Sequence, residues 1–123
     1  MKITLDEAVD ELSSARLVFS RANDRHMSAL DRLQSAQYNY NDAWETYVKY
    51  GHRALQEAFH QKSAELDFAY KAYYSARSYL KISQVRLKKA ERVVKKLQKK
   101  VDKENKREAK RKEKEEAEMF WFK

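Results

Sequence analysis

Apolar residues return along this chain every three and four positions, in two rows of unequal size. Every seventh residue from Leu5 gives Leu5, Leu12, Phe19, His26, Leu33, Tyr40 and Tyr47. Every seventh residue from Ala8 gives Ala8, Ala15, Ala22, Ala29, Ala36 and Ala43. Rows offset by three and four residues form the a/d seam of a coiled coil. One row is bulky and the other is alanine at each step. The second half repeats the design, with a large row of Phe59, Leu66, Tyr73, Leu80, Leu87, Val94 and Val101. Its small row is Lys62, Ala69, Ala76, Ser83 and Ala90, with Leu97 as a large exception.

Folding the chain back at Gly51 makes the rows interlock. Residues whose numbers sum to about 102 then face one another, as they do across an antiparallel coil. Leu12 meets Ala90, Phe19 meets Ser83, His26 meets Ala76 and Leu33 meets Ala69. From the other side, Ala15 meets Leu87, Ala22 meets Leu80, Ala29 meets Tyr73, Ala36 meets Leu66 and Ala43 meets Phe59. Large over small fills space without strain. A parallel dimer of long helices is the competing arrangement, since it also satisfies a heptad seam.

The helix boundaries are marked locally. Thr4 and Glu7 form a capping box, with Ile3 placed to staple onto Ala8. Asp6, Glu7, Asp10 and Glu11 sit where the helix dipole favours anions. The heptad phase runs unbroken through Asn23-Asp24 and through the Asn39–Asp42 cluster, so one helix is expected over 5–50. Gly51, the only glycine, suits the left-handed position past a helix end, and the phase slips at the same place. A second helix is expected from 54 to 101, although no Ser, Thr, Asp or Asn precedes it as a cap. Residues 102–123 read as a charged helical extension ending in an aromatic tag. The expected fold is therefore all-α: a long antiparallel hairpin with a projecting basic helix. Apolar residues off the seam (Val9, Leu30, Trp44, Val48, Tyr70, Tyr74, Tyr79 and Val93) point to a second buried face. Two hairpins then pair in a dimeric four-helix bundle, because a two-helix core is thin.

Composition agrees and narrows the field. In 123 residues there is no proline, one glycine and 37% charge. Helix formers dominate. Absence of cysteine removes disulfides and thiolate chemistry and fits a reducing compartment. No stretch approaches the roughly 20 apolar residues of a membrane span. The first residues turn acidic at once instead of forming a signal-peptide core. A cytoplasmic protein is expected.

The net charge of +8 is unevenly spread. Residues 1–50 carry net −2 and residues 51–123 carry net +10. The basic positions concentrate in Arg77, Lys81, Arg86, Lys88, Lys89, Arg92, Lys95, Lys96, Lys99, Lys100, Lys103, Lys106, Arg107, Lys110, Arg111 and Lys112. Against these 16 stand four acids, Glu91, Asp102, Glu104 and Glu108. Lys88 through Lys100 recur at three- and four-residue steps and are expected opposite the Leu87–Val94–Val101 seam. Such a strip binds phosphates of RNA or DNA with release of counterions and little base readout. Tyr70, Tyr73, Tyr74 and Tyr79 adjoin it and have the faces to stack on bases, but their helical spacing reads first as packing. The alternative occupant is an acidic protein. In that reading the chain is an adaptor or inhibitor, of the architecture seen in phage host-takeover factors and secretion-stalk proteins, anchored by Phe120-Trp121-Phe122. That is a likeness of shape with no motif behind it.

Catalytic and metal chemistry find little footing. Glu57 and His60 have the Glu-x-x-His spacing of di-iron bundles, but such a site needs two pairs and two further glutamates. His26 and His52 supply no second pair. His26, on the seam, marks a polar layer. One glycine rules out a glycine-rich phosphate loop. No enzyme, metal or cofactor is expected.

Overall fold

The computed structural model describes residues 2–121, and Met1, Phe122 and Lys123 lie outside the described residues. It contains two helices, α1 (Leu5–Tyr50) and α2 (Arg53–Trp121), and no strand among the described residues. Both expected boundaries of α1 hold. The Thr4 Oγ1 accepts a hydrogen bond from the Glu7 backbone N–H at 3.2 Å. The Thr4 carbonyl accepts the first helical bond, from Ala8, at 3.0 Å. The side-chain bond satisfies one of the orphan donors of a helix start, the Glu7 N–H.

At the far end Gly51 has φ +63°, and its N–H donates to the Tyr47 carbonyl at 2.7 Å. That is the αL cap, a conformation costly for any residue with a Cβ. The connection is two residues long. The His52 carbonyl accepts bonds from Leu55 and Gln56, so α2 begins with His52 as its N-cap residue, one position earlier than expected. The continuous helix through Gly51 and the parallel pairing both fail against this turn. The hairpin stands.

The chain divides into two compact units. One is residues 16–85, a closed hairpin. The other joins the start of the chain, through Ala15, to the stretch from Arg86 onward. In each, a piece of α1 packs on a piece of α2.

In the 16–85 unit the buried side chains are Ala22, Ala29, Leu66, Ala69, Ala76 and Ser83. All six lie on the rows predicted from spacing. Ser83 is a hydroxyl in the small row, and it donates to the Tyr79 carbonyl at 2.8 Å, so the buried polar atom is paired. Phe59 was expected over Ala43. Its ring lies 5.2 Å from Tyr40, 5.1 Å from Trp44 and 6.1 Å from Tyr47, the residues that surround position 43 on α1. Tyr73, expected over Ala29, has the His26 ring at 5.3 Å. His26 thus sits half-buried against an aromatic face. The hydroxyl of Tyr70 donates to Gln37 Oε1 at 3.2 Å.

In the other unit Leu12, Ala15 and Ala90 form the core, with Leu87 and Val94 half-buried against them and Ala8 buried alongside. Leu12 over Ala90 and Ala15 over Leu87 are the layers the folded-back numbering predicts. Past Val101 no described residue is buried or half-buried, yet α2 continues to Trp121.

Candidate functional site

The candidate site is the cationic surface of α2, and the seam decides which way it faces. At about 100° of rotation per residue, Leu87, Ala90, Val94, Leu97 and Val101 define one direction on the helix. Eleven cations (Lys88, Lys89, Arg92, Lys95, Lys96, Lys99, Lys100, Lys103, Lys106, Arg107 and Lys110) fall within roughly 80° of the opposite direction. All eleven are exposed, and none is held in an ion pair or hydrogen bond with a described residue. Glu104 and Glu108 point to the seam side, and Glu91 and Asp102 stand at the edge of the stripe. Asp102 is as far from the centre of the stripe as Lys100, so over more than 20 residues of helix the surface carries one acid at its border against eleven cations.

The remaining predicted cations are placed differently. Arg77 and Lys81 belong to the 16–85 unit, where both are exposed. Arg86 leaves the stripe altogether. Its Nε donates to Glu11 Oε1 at 2.8 Å and its terminal nitrogen to Glu11 Oε2 at 3.1 Å, with Ser14 Oγ at 3.4 Å. This two-pronged contact holds the Glu11 carboxyl below its usual range, chiefly through the Arg86 hydrogen bond. Arg86 is therefore a brace between α1 and α2. Arg111 lies off the stripe as well, 3.8 Å from Glu115 one turn ahead.

Of the predicted docking residues, Phe120 and Trp121 are 79% and 81% exposed, their rings packed edge to face at 6.4 Å. Phe122 falls outside the described residues. Among the tyrosines, Tyr73 is half-buried on the seam and Tyr70, Tyr74 and Tyr79 are exposed. Tyr74 stacks on Tyr70 at 6.3 Å and meets Tyr73 edge-on at 5.6 Å.

Two hollows were not foreseen. One, of about 310 Å³, is floored by Ala8 and Ala90, walled by Ile3 and Val93, and bordered by Lys89 and the Glu11–Arg86 pair. The other, of about 280 Å³ in the 16–85 unit, lies between Arg25 and Arg32 over Ala29, Ala72 and Ala76. Each is the by-product of alanines meeting on facing helices. The signal was present wherever small residues of both rows fall within one turn of each other. Among the described residues no cluster of three or more His, Asp or Glu side chains converges for a metal, and no helix is long and apolar enough to cross a membrane.

No protein-family model, curated protein or solved structure matches this chain. The functional reading rests on its own residues.

Proposed function

We propose that this is a non-enzymatic helical protein that binds RNA or DNA through the phosphate backbone, using the basic face of α2, and that it works as a homo-oligomer. One observation carries the reading. Eleven exposed cations, with no ion-pair or hydrogen-bond partner among the described residues, share one face of a continuous helix. A surface kept only for solubility mixes signs, and this face sets eleven cations against one acid, Asp102, at its border. The geometry suits a polyanion whose charges repeat along a line. With few polar or aromatic groups in the stripe, affinity comes from charge and carries little sequence preference.

The test is binding of labelled single-stranded RNA and duplex DNA to the full chain, followed by fluorescence anisotropy across a salt series. If about six phosphates are engaged, affinity falls about a thousandfold between 50 and 200 mM salt. The variant Arg92→Glu/Lys95→Glu/Lys99→Glu is expected to lose most of the binding without loss of helix. Salt-independent or absent binding sinks the proposal.

A second reading is favoured by the exposed Phe120 and Trp121, since aromatic side chains are the usual anchors of protein interfaces. Here the chain is an adaptor or inhibitor, and its basic helix meets an acidic protein surface. A co-purifying protein that resists nuclease and is lost when residues 119–123 are removed supports this alternative over the first.

A further inference from the structure

We infer that the hollow between Arg25 and Arg32 is a binding site for a phosphate group, held by the two guanidiniums on the flank of the 16–85 hairpin.

This flank repeats by heptads, and the repeat shows which partner is missing. In the other unit a carboxylate of α1, Glu11, meets a guanidinium of α2, Arg86, at 2.8 Å, with Ser14 beside them. Two heptads further along α1, the positions of Glu11 and Ser14 are taken by Arg25 and Ser28. Two heptads back along α2, the position of Arg86 is taken by Ala72. A charged pair in one unit becomes a cation facing a methyl group in the other. Arg32 is one heptad beyond Arg25, and its counterpart on α2 by the same count is Glu65. That carboxylate is held by Lys62 at 3.2 Å instead.

Space opens where the acid is absent. Ala29 and Ala76 are buried and Ala72 is half-buried. With no side-chain atom past Cβ, they floor a hollow of about 280 Å³ between the helices. Its border carries both arginines and the hydroxyls of Ser28 and Ser75. None of these four side chains makes an ion pair or hydrogen bond with a described residue. No carboxylate is among the described residues that line the hollow. Asp24 and Asp31 each precede an arginine in sequence, but one residue turns each carboxylate about 100° away around α1.

The donor set selects phosphate. Arg25 and Arg32 are two turns apart, so their Cα atoms are separated by roughly 10 Å. Arginine side chains are long enough to close on one group from both ends of that span. Together they offer about ten N–H donors, and the serines add two hydroxyls. A single carboxylate, with one charge and about four acceptor sites, leaves most of these unused. A doubly charged phosphate group matches two fixed positive charges, and the guanidinium forks bind its oxygens in pairs. A hollow of this volume, at the lower end of small-molecule sites, takes a phosphate or diphosphate with a small body attached. The site differs in kind from the cationic face of α2, which is a line of mostly lysine side chains without a floor.

Isothermal titration calorimetry of pyrophosphate into the full chain tests the inference. The background is Arg92→Glu/Lys95→Glu/Lys99→Glu at physiological salt, which disables the competing face of α2. Saturable one-to-one binding is expected. Adding Arg25→Gln/Arg32→Gln is expected to weaken it about tenfold or more, with the urea midpoint nearly unchanged because both side chains are exposed. Ala72→Glu is expected to do the same by another route, since it gives Arg25 the carboxylate that Glu11 gives Arg86. An oligonucleotide with a 5′-phosphate, compared with the same strand ending in a hydroxyl, separates the sources of the group. A preference for the phosphorylated end that is lost with both arginines assigns it to nucleic acid. Equal binding of the two strands, beside saturable pyrophosphate binding, assigns it to a free small molecule. Absence of saturable pyrophosphate binding, or binding that survives the loss of both arginines, overturns the proposal. The face of α2 is already disabled in this background, so the two readings fail separately.

Discussion

Residues 86–101 and 102–121 belong to one helix and are both rich in lysine and arginine, yet different forces hold them. In the first stretch Ala90 is buried with Leu12 and Ala15 of α1, Leu87 and Val94 are half-buried against them, and Val93, Leu97 and Val101 are half-buried. In the second every described residue is exposed. Tertiary packing stabilises the first. The second relies on helix propensity and on oppositely charged side chains one turn apart, of which Arg111–Glu115 is formed at 3.8 Å. The seam stops where its partner stops, while the helix continues. A heptad pattern therefore reports the length of the partner, and composition reports the length of the helix.

That contrast breaks most sharply at the core of the paired stretch. Leu12 packs on Ala15 and Ala90, and Leu12→Ala is expected to cost about 2–3 kcal/mol of global stability, through lost burial and an unfilled gap. Urea unfolding monitored by circular dichroism reads this as a lower midpoint. The reverse change tests the small row. Ala15 has no exposed surface, and Ala15→Leu is expected to cost about 1–3 kcal/mol by forcing the helices apart. An unchanged midpoint for Ala15→Leu would mean that the alanine ladder is only a helix former, not a packing surface.

The paired stretch was largely legible from spacing because burial and period are the same information there. Every buried residue among those described lies on one of the two rows read from the sequence. Gly51 was legible because a single glycine coincided with a phase slip. The Arg86 brace was not. Arg86 and Glu11 are 75 positions apart, and their meeting depends on which flanks of two helices face each other. Counting charge placed Arg86 in the cationic stripe, and its one-residue offset before Leu87 places it at the seam's edge instead. The hollow beside it was missed for a related reason. Pairing Leu12 with Ala90 treated each layer alone, whereas Ala8 and Ala90 meet on the diagonal between layers. A one-dimensional period specifies a face, and the third dimension decides what stands at its border.

A smaller effect sharpens the other side of the contrast. Ala109→Gly lies in the unpaired stretch and is expected to cost about 1 kcal/mol of local helix, with no change in the urea midpoint. Amide hydrogen exchange is the suitable probe, since local opening is read residue by residue. Faster exchange confined to residues near 109 is expected. A drop in global midpoint would show instead that the charged stretch is energetically joined to the hairpin.

The smallest expected effect lies in the ion pair at the border of the paired stretch. The Arg86 hydrogen bond, helped by charge attraction and opposed by desolvation, lowers the Glu11 pKa from its ordinary 4.5. A carboxyl whose pKa is lower folded than unfolded adds stability above its unfolded pKa, and the gain is lost as pH falls through the folded value. Glu11 is a surface residue, so the gain is small. The wild-type chain is nevertheless expected to lose slightly more stability than Glu11→Gln between about pH 5 and pH 3. Below both pKa values the difference should vanish, because Glu11 is then protonated folded and unfolded alike. Glu115→Gln is the matched control: it removes an acid–arginine pair from the stretch where nothing is buried, and the midpoint should not move at either pH. If the two variants titrate alike, the packing of α1 on α2 adds nothing to an ion pair that crosses between them.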